Sequence, residues 1–218
     1  MPLHQARHGR VEDLHAIVLA GGQGTRLREA FDGPKVLAPV GGRPFLSLLL
    51  EHLERHGIRH VTMAVGYKAE EIIETIGRHH GSISIMYLQE HTPLGTGGAL
   101  KQALETTDVF PVFAMNGDTL CDVYLRGMWQ QHWRSKARLS VAVKHMPEGD
   151  TRYGRLNGLV NCGVYLFSAN VLSGCPAEFS FEDYLQKASD VTLIATQAKF
   201  TEIGVPADYA RFALAMER

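Results

Sequence analysis

The sequence has few cysteines, no long apolar run and no excess of charge of either sign. Its three cysteines, Cys121, Cys162 and Cys175, include no CxxC pair, which argues against a secreted disulfide scaffold and against a structural zinc site. No apolar run approaches the roughly 20 residues that a membrane helix needs. The first 13 residues carry Arg7 and Arg10 without an apolar stretch behind them, so we read no signal peptide there. We therefore expect a cytoplasmic protein with no membrane partner.

The balance of charges excludes a global attraction to nucleic acid. Lys and Arg together number 22, whereas Asp and Glu number 23, so no net field draws the protein to a polyanion. A chain of 218 residues, 45% hydrophobic and 21% charged, is typical of a globular protein with one sizeable core. A phosphate-bearing ligand must therefore be bound by local groups.

Short β-branched runs alternate with amphipathic stretches along the chain. In the first part, strands are predicted at 16–19, 61–65, 83–88 and 110–115, and helices at 44–56, 70–76 and 97–104. In the second part, strands are predicted at 139–144, 163–167 and 191–195, and helices at 181–188 and 206–217. This order predicts an α/β fold, with a mostly parallel Rossmann-like sheet covered by helices on both faces and a smaller β-rich part. Ligands of such sheets bind beyond the carboxyl ends of the strands.

A glycine-rich loop follows the first predicted strand directly. It reads Leu19-Ala20-Gly21-Gly22-Gln23-Gly24-Thr25-Arg26-Leu27, and Pro34-Lys35 comes shortly after it. Glycines let backbone N–H groups turn toward an anion, and Arg26 and Lys35 add the positive charge that a triphosphate requires. The loop has neither the dinucleotide pattern G-x-G-x-x-G nor the Gly-Lys-Ser/Thr of a Walker A loop. A plain tight turn between strand and helix is the simpler alternative, but it does not account for Arg26 and Lys35.

On these residues the chain resembles the sugar-1-phosphate nucleotidylyltransferase family, whose signature is LAGG-x-GTRL followed by PK-x-L-x-PV-x-G-x-P. The second half of that signature is matched by residues 34–44, Pro-Lys-Val-Leu-Ala-Pro-Val-Gly-Gly-Arg-Pro. Scattered matches extend to residues 203–209. The resemblance implies a GT-A-like nucleotidyltransferase fold, with a tail at 1–13 and one domain at 14–218. Within that domain it implies a nucleotide-binding half at 14–135 and a sugar-phosphate half at 136–218.

The resemblance also assigns roles to residues at the strand ends. Arg26, Lys35 and Asp118 are then catalytic, and Asp118 holds Mg²⁺, an ion that prefers carboxylates and phosphate oxygens. The family usually reads F-I-D-I-G near the C-terminus, where this chain has Phe200-Thr201-Glu202-Ile203-Gly204, so Glu202 is expected as the second metal ligand. The nucleotide is expected to contact Leu19, Ala20, Gly21, Gly22, Gly24, Thr25, Gln89, Glu90, Gly95, Thr96 and Asn116.

The sugar phosphate is expected to contact Tyr153, Gly154, Asn161 and Glu182, but the sequence is short in this region. Only six residues separate Gly154 from Asn161, whereas the family has a longer hairpin there with a Glu-Lys pair for the sugar. We expect the gene to encode further residues between Arg155 and Gly158, and the alternative is a real deletion.

Two groups of side chains are assigned no chemistry. His52 and His56 lie four positions apart on a predicted helix, but they form no H-E-x-x-H pattern and no Cys/His set, so we expect surface histidines. His79 and His80 are interpreted in the same way. Trp129 and Trp133, at helical spacing, are expected to pack rather than to stack on a base.

The expected reaction joins a nucleoside monophosphate from an NTP to a sugar 1-phosphate. Within the family, the chain most resembles the members that use GTP and D-glycero-α-D-manno-heptose 1-phosphate, on its short length, residues 94–98 and residues 161–165. The product of such members would serve the synthesis of surface or capsule polysaccharide. Mannose 1-phosphate guanylyl transfer and N-acetylmuramate 1-phosphate uridylyl transfer are the alternatives, and a homodimer is left open. A non-catalytic nucleotide-sensing domain is disfavoured because Arg26, Lys35 and Asp118 are all present, and a nicotinamide-dependent oxidoreductase is disfavoured by the glycine spacing.

Overall fold

A computed structural model of the chain describes residues 7–8, 14–146 and 153–216. Its strands are β1 (Arg7–His8), β2 (His15–Leu19), β3 (Pro39–Val40), β4 (Arg43–Pro44), β5 (His60–Val65), β6 (His79–His80), β7 (Ile83–Gln89), β8 (Val109–Phe110), β9 (Val112–Asn116), β10 (Thr119–Cys121), β11 (Leu139–Lys144), β12 (Arg155–Leu156), β13 (Leu159–Phe167), β14 (Val191–Ala195) and β15 (Phe200–Glu202). Its helices are α1 (Phe45–Arg55), α2 (Ala69–Ile76), α3 (Gly95–Leu104), α4 (Leu125–Ser135), α5 (Phe181–Lys187) and α6 (Pro206–Met216).

Nine strands of the described residues form the central sheet. Eight of them follow the order β14-β11-β13-β9-β2-β5-β7-β6, and β12 pairs with β13. The pairs of β2 with β5 and β9, of β5 with β7 and of β11 with β14 are parallel, while β13 runs antiparallel to β9 and β11. The predicted α/β class and mostly parallel sheet are confirmed.

Helices cover both faces of the sheet because successive residues of the buried strands point to opposite sides. Along β2, Ala16 and Val18 join a core with residues of α1, α2 and α4, whereas Ile17 joins a second core with residues of α3 and α5. In α1, the predicted apolar stripe of Phe45, Leu48, Leu49 and Leu53 is buried. Packing on both sides fixes the ends of the inner strands, where the polar loops begin.

The strands differ from the sequence-based prediction in several places, and the predicted strand 110–115 is divided into β8 and β9. β13 begins four residues earlier than predicted, at Leu159, because it pairs with β12 across a two-residue turn. Part of the predicted N-terminal tail, β1, pairs in parallel with β8. The other residues of that tail, and Glu217 of the predicted last helix, lie outside the described residues. No helix in the described ranges is long and apolar enough to cross a membrane.

The prediction that His52 lies on the surface is wrong. Its side chain is 2% exposed, because it lies on the inner face of α1 next to Leu49 and Leu53. His132, to which no role was assigned, is also buried and bonds Ser140 and Ser168 through its two ring nitrogens, at 2.8 and 2.9 Å. Trp129 packs against the core as expected, with its ring 5.7 Å from that of Trp133.

Candidate active site

A cleft of about 890 Å³ opens at the carboxyl ends of β2, β5, β7 and β9. This is the edge at which ligands of parallel α/β sheets bind. Most residues predicted for the site line the cleft: Leu19, Ala20, Gly21, Gly22, Arg26, Lys35, Glu90, Gly95, Thr96, Asn116, Asp118, Tyr153, Gly154, Asn161, Glu182 and Glu202. Gly24, Thr25 and Gln89 are not among the lining residues.

The glycine loop forms one wall of the cleft. Backbone bonds hold its first residues to the β5 end, from Ala20 N–H to the Ala64 carbonyl (2.7 Å) and from Tyr67 N–H to the Gly21 carbonyl (3.2 Å). Gly24 has φ of +60°, and a Cβ there would lie 2.9 Å from Cβ of Lys35. A larger residue at position 24 would therefore be strained and would displace Lys35. Although Gly24 does not line the cleft, it allows the loop and Lys35 to approach each other.

Four charged side chains meet beside this loop. The Lys35 ammonium forms an ion pair with the Asp118 carboxylate, and Nη2 of Arg26 lies 3.8 Å from Oε1 of Glu202. The Arg26 side chain is 63% exposed, whereas those of Lys35, Asp118 and Glu202 are mostly buried. The cluster therefore combines the exposed guanidinium of Arg26 with the three mostly buried charged groups of Lys35, Asp118 and Glu202.

A short antiparallel ribbon brings the two carboxylates together. Thr119 of β10 pairs with Glu202 of β15, and Ile203 N–H donates to the Asp118 carbonyl at 2.9 Å. At Gly204, an added Cβ would lie 2.8 Å from Oε1 of Glu202 and 3.5 Å from Oδ2 of Asp118. Burial, and then the neighbouring Asp118 carboxylate, raise the pKa of Glu202 to about 7.

These two carboxylates fit a hard divalent cation. They offer oxygen ligands only, as Mg²⁺ prefers, and they leave the rest of a coordination shell for water and phosphate oxygens. A cation between them would relieve the repulsion that raises the pKa of Glu202. The glutamate that replaces the family's aspartate thus still brings its carboxylate beside Asp118.

The residues predicted to contact the base separate into two groups. Glu90 lines the cleft, accepts a hydrogen bond from Leu94 N–H at 3.2 Å, and has a pKa raised by burial. Gly95 has φ of +69°, and a Cβ there would lie 2.6 Å from the Phe179 carbonyl oxygen, so only glycine fits this close crossing. Gln89, the last residue of β7, instead donates to the Glu70 carboxylate at 3.1 Å and does not line the cleft.

Hydrogen bonds position the side chains predicted for the sugar phosphate. Thr96 Oγ1 donates to Glu182 Oε2 at 2.7 Å, which holds this carboxylate over the start of α3. Asn161 donates through Nδ2 to the Tyr165 hydroxyl (2.9 Å), and its Oδ1 accepts from Gly163 N–H (3.0 Å). The Tyr153 hydroxyl donates to the buried Asp208 carboxylate at 3.0 Å. Tyr153 is therefore tied to α6, although it lines the cleft.

The extra residues expected between Arg155 and Gly158 stay a prediction. In this structure residues 155–160 form a tight hairpin in which Leu156 pairs with Leu159. Its two turn residues, Asn157 and Gly158, have φ of +50° and +78°, as two-residue hairpin turns of Asn-Gly require. The Asn-Gly pair itself could have indicated this turn.

Several lining residues were missed by the sequence interpretation. They include Val36, Gly66, Tyr67, His91, Thr92 and Pro93. Gly66 and Tyr67 follow β5 directly, so the strand-end rule that selected Asn116 could have found them. Tyr165, from the stretch 161–165 that resembles the family, also lines the cleft from within β13.

Comparison with known proteins identifies the class of enzyme to which this fold and cleft belong. The chain matches the family described as nucleotidyl transferase over residues 15–157. It therefore belongs to that family, and it is a nucleotidyltransferase. The resemblance drawn from the glycine loop and residues 34–44 is confirmed.

Individual relatives are similar over nearly the whole chain. The D-glycero-alpha-D-manno-heptose 1-phosphate guanylyltransferase of Aneurinibacillus thermoaerophilus is 36% identical, over 91% of this chain and 96% of its own length. The protein of the same name from Campylobacter jejuni is 34% identical, over 91% and 98%. The crystal structure of HddC from Yersinia pseudotuberculosis complexed with GMP-PN is 29% identical, with a TM-score of 0.84 over 93% of this chain and 99% of that chain.

Proposed function

We propose that this enzyme transfers GMP from GTP to D-glycero-α-D-manno-heptose 1-phosphate and releases pyrophosphate. The observation that carries the proposal is the convergence of the glycine loop, Arg26, Lys35 and the Asp118–Glu202 pair on one cleft. The names of the two relatives with 34–36% identity support the heptose and the guanine.

The reaction requires little proton chemistry. A sugar 1-phosphate is an anionic nucleophile at neutral pH, so its oxygen can attack the α-phosphorus of the NTP without a general base. The difficulty is to bring two anions together in line, and catalysis is then a matter of positioning and charge neutralisation. In this proposal Arg26 and the glycine loop hold the triphosphate, and Lys35 neutralises charge at the reacting phosphates.

Asp118 and Glu202 would hold Mg²⁺. When bound, Mg²⁺ would neutralise phosphate charge during the transfer. The role of the protein is to present two carboxylates from one ribbon, β10–β15, whose pairing keeps them beside each other. Both are linked to cations, Lys35 and Arg26, which sets the local charge near balance before an anion enters.

Glu90 is the group on which we base the preference for guanine. The guanine edge carries two adjacent donors, N1–H and the exocyclic N2 amino group, whereas uracil and thymine offer one N–H on the same edge. A carboxylate has about four acceptor positions, so Glu90 can accept from guanine while it keeps the Leu94 N–H. A donor left without an acceptor in a closed site is costly, which makes such contacts selective.

The acceptor sugar would lie toward Glu182 and Asn161. The Glu182 carboxylate, anchored by Thr96, is suited to accept hydrogen bonds from sugar hydroxyls. Asn161 is held by Tyr165 and Gly163, so its orientation is fixed before the substrate arrives. These contacts do not by themselves distinguish a heptose from mannose, and mannose 1-phosphate guanylyl transfer is the alternative. N-acetylmuramate 1-phosphate uridylyl transfer is a more distant one, because it requires another base.

The biological setting follows from this proposal. A GDP-heptose would supply surface or capsule polysaccharide synthesis, and the enzyme would work in the cytoplasm, where GTP is available. A homodimer is part of the same proposal and is checked by light scattering.

The test is a panel of GTP, UTP, CTP, dTTP and ATP against heptose, mannose and N-acetylmuramate 1-phosphates, with pyrophosphate release as the readout. We expect kcat/KM with GTP and the heptose to exceed every other pairing by at least about tenfold, or about 1.4 kcal/mol. Equal rates with UTP or dTTP would overturn the guanine assignment but not the family. If the protein binds a nucleotide but turns over no sugar 1-phosphate, the non-catalytic sensing domain is favoured. If NAD raises the melting temperature and none of the NTPs does, an oxidoreductase is favoured.

A further inference from the structure

A second cluster of metal-ligating side chains lies outside the cleft. His52 of α1, His56 at the end of that helix, and Asp122 after β10 each present one ligand atom, and these atoms all lie within 4.8 Å of one another. His52 Nδ1 is 3.5 Å from Asp122 Oδ1, and the two imidazole rings are 4.6 Å apart. We propose that these three residues form a binding site for a divalent transition metal of the Zn²⁺ class.

The spacing follows from regular structure. Residues four apart on a helix lie on the same face, which places both rings side by side at the carboxyl end of α1. Asp122 is brought against them by the β10–β15 ribbon, and its N–H donates to the Lys199 carbonyl at 2.9 Å. Backbone bonds therefore hold the end of α1 and the residue after β10 next to each other.

Both imidazoles are in the form that binds a metal. Burial lowers the pKa of His52 to about 4, and burial is also the main cause of the lowered pKa of His56. Neutral rings keep a lone pair for a cation, so these histidines are not simply protonated partners of Asp122.

The ligand set selects the class of metal. Two imidazoles and one carboxylate suit Zn²⁺, Co²⁺ or Ni²⁺, whereas Mg²⁺ and Ca²⁺ prefer oxygen ligands. Tetrahedral ligand atoms about 2 Å from zinc would have to lie closer together than 4.8 Å. The Asp122 side chain is 62% exposed and can make that adjustment, and water can fill the fourth position.

Such an ion would join α1 to the strand that begins beside Asp118. β10 starts at Thr119, next to Asp118, and ends at Cys121, next to Asp122. A metal ion at the Asp122 end of β10 would stabilise the folded state, by an amount that depends on the ratio of free metal to its Kd. The inference does not depend on the identity of the sugar or of the base.

The test is a titration of untagged, metal-stripped protein with Zn²⁺ in competition with a chromophoric chelator. We expect one equivalent of bound Zn²⁺, a higher melting temperature with zinc, and intense visible bands of four- or five-coordinate Co²⁺ when cobalt replaces zinc. His56→Gln and Asp122→Asn should each weaken zinc binding by at least about tenfold. His79 and Asp190 are exposed. The variants His79→Gln and Asp190→Asn are matched controls, and they should leave the affinity for zinc unchanged.

Asp118→Asn separates this site from the cleft, and we expect it to retain zinc at His52. Unchanged zinc affinity in both His56→Gln and Asp122→Asn would overturn the proposal, as would loss of zinc in Asp118→Asn alone. A spectrum of hydrated Co²⁺ in the unmodified protein would overturn it without any variant.

Discussion

The ammonium group of Lys35 forms an ion pair with the Asp118 carboxylate across 83 residues of chain. Lys35 begins the short 3₁₀ turn Lys35–Leu37 after the glycine loop, and Asp118 follows the end of β9. Both side chains are more than four-fifths buried, so the pair is partly shielded from water and its charges interact more strongly than on an open surface. Cβ of Lys35 lies beside Gly24, so this side chain starts next to the loop, where a bound phosphate could compete with Asp118 for the ammonium.

Replacing the two cations of the cleft should impair turnover without unfolding the protein. We expect Arg26→Ala and Lys35→Ala each to lower kcat/KM by about a hundredfold, or about 3 kcal/mol, because each removes charge that faces the phosphates. Arg43→Ala is the matched control, since Arg43 pairs with Glu51 on the exposed surface. Full activity of both cleft variants would leave the glycine loop as a plain structural turn.

Asp118→Asn should remove most of the turnover. The amide keeps the shape of the side chain but not its charge, so it neither binds Mg²⁺ well nor pairs with Lys35. We expect a loss on the order of a thousandfold in kcat with a modest change in the free energy of unfolding. Steady-state kinetics and urea unfolding of the same preparation measure both quantities.

Glu202 tests whether the second carboxylate is a metal ligand. We expect Glu202→Gln to abolish Mg²⁺-dependent turnover and Glu202→Asp to retain part of it, since aspartate keeps the charge but has a shorter reach. Kinetics over a range of Mg²⁺ concentrations distinguish the variants. An unchanged rate and Mg²⁺ dependence in Glu202→Gln would mean that Asp118 holds the ion with phosphates and water alone.

Glu90→Gln should lower the preference for GTP over UTP. The amide presents one acceptor and one donor where the carboxylate presents only acceptors, so guanine loses an acceptor while uracil gains a matching donor. We expect the ratio of kcat/KM for GTP over UTP to fall by about tenfold or more. Gln89→Glu is the matched control, because Gln89 does not line the cleft. The same GTP preference in both variants would place the recognition of guanine elsewhere.

Buried His132 should make the fold sensitive to acid. Burial lowers its pKa to about 4, whereas the unfolded chain has a pKa near 6.5. The unfolded state therefore binds more protons between these values, so this stabilisation is complete above about pH 6.5 and is lost as the pH falls toward 4. The loss at pH 5 should be on the order of 1–2 kcal/mol from this residue.

Urea unfolding of His132→Gln at pH 7 and pH 5 measures that contribution. The variant should be less stable at pH 7, because its contacts with Ser140 and Ser168 are lost, but its stability should fall less between the two pH values. His79→Gln, at an exposed position, should reproduce the acid sensitivity of the unmodified protein. An equal fall in His132→Gln would mean that other groups account for the acid sensitivity.

The elements and the family could be read from local patterns. The glycine loop, residues 34–44 and the alternation of strands with helices depend on neighbours in sequence, so the α/β fold and the strand-end location of the cleft could be predicted. Asn157-Gly158 carried an equally local signal for a tight hairpin. The prediction of further residues between Arg155 and Gly158 depends instead on the spacing usual in the family, and it stays a prediction.

The sequence by itself determined the class of fold, the glycine loop and the cations that follow it, because backbone geometry and hydrophobic periodicity act over a few residues. Only the tertiary structure decided that Glu202 lies beside Asp118, that Gln89 turns away from the cleft, and that His52 is buried next to Asp122. Each of these depends on strand pairing and helix packing between distant segments. A contact between distant segments leaves no pattern in the local sequence. The free energy of burying a side chain or forming an ion pair there is gained only when the segments pack together.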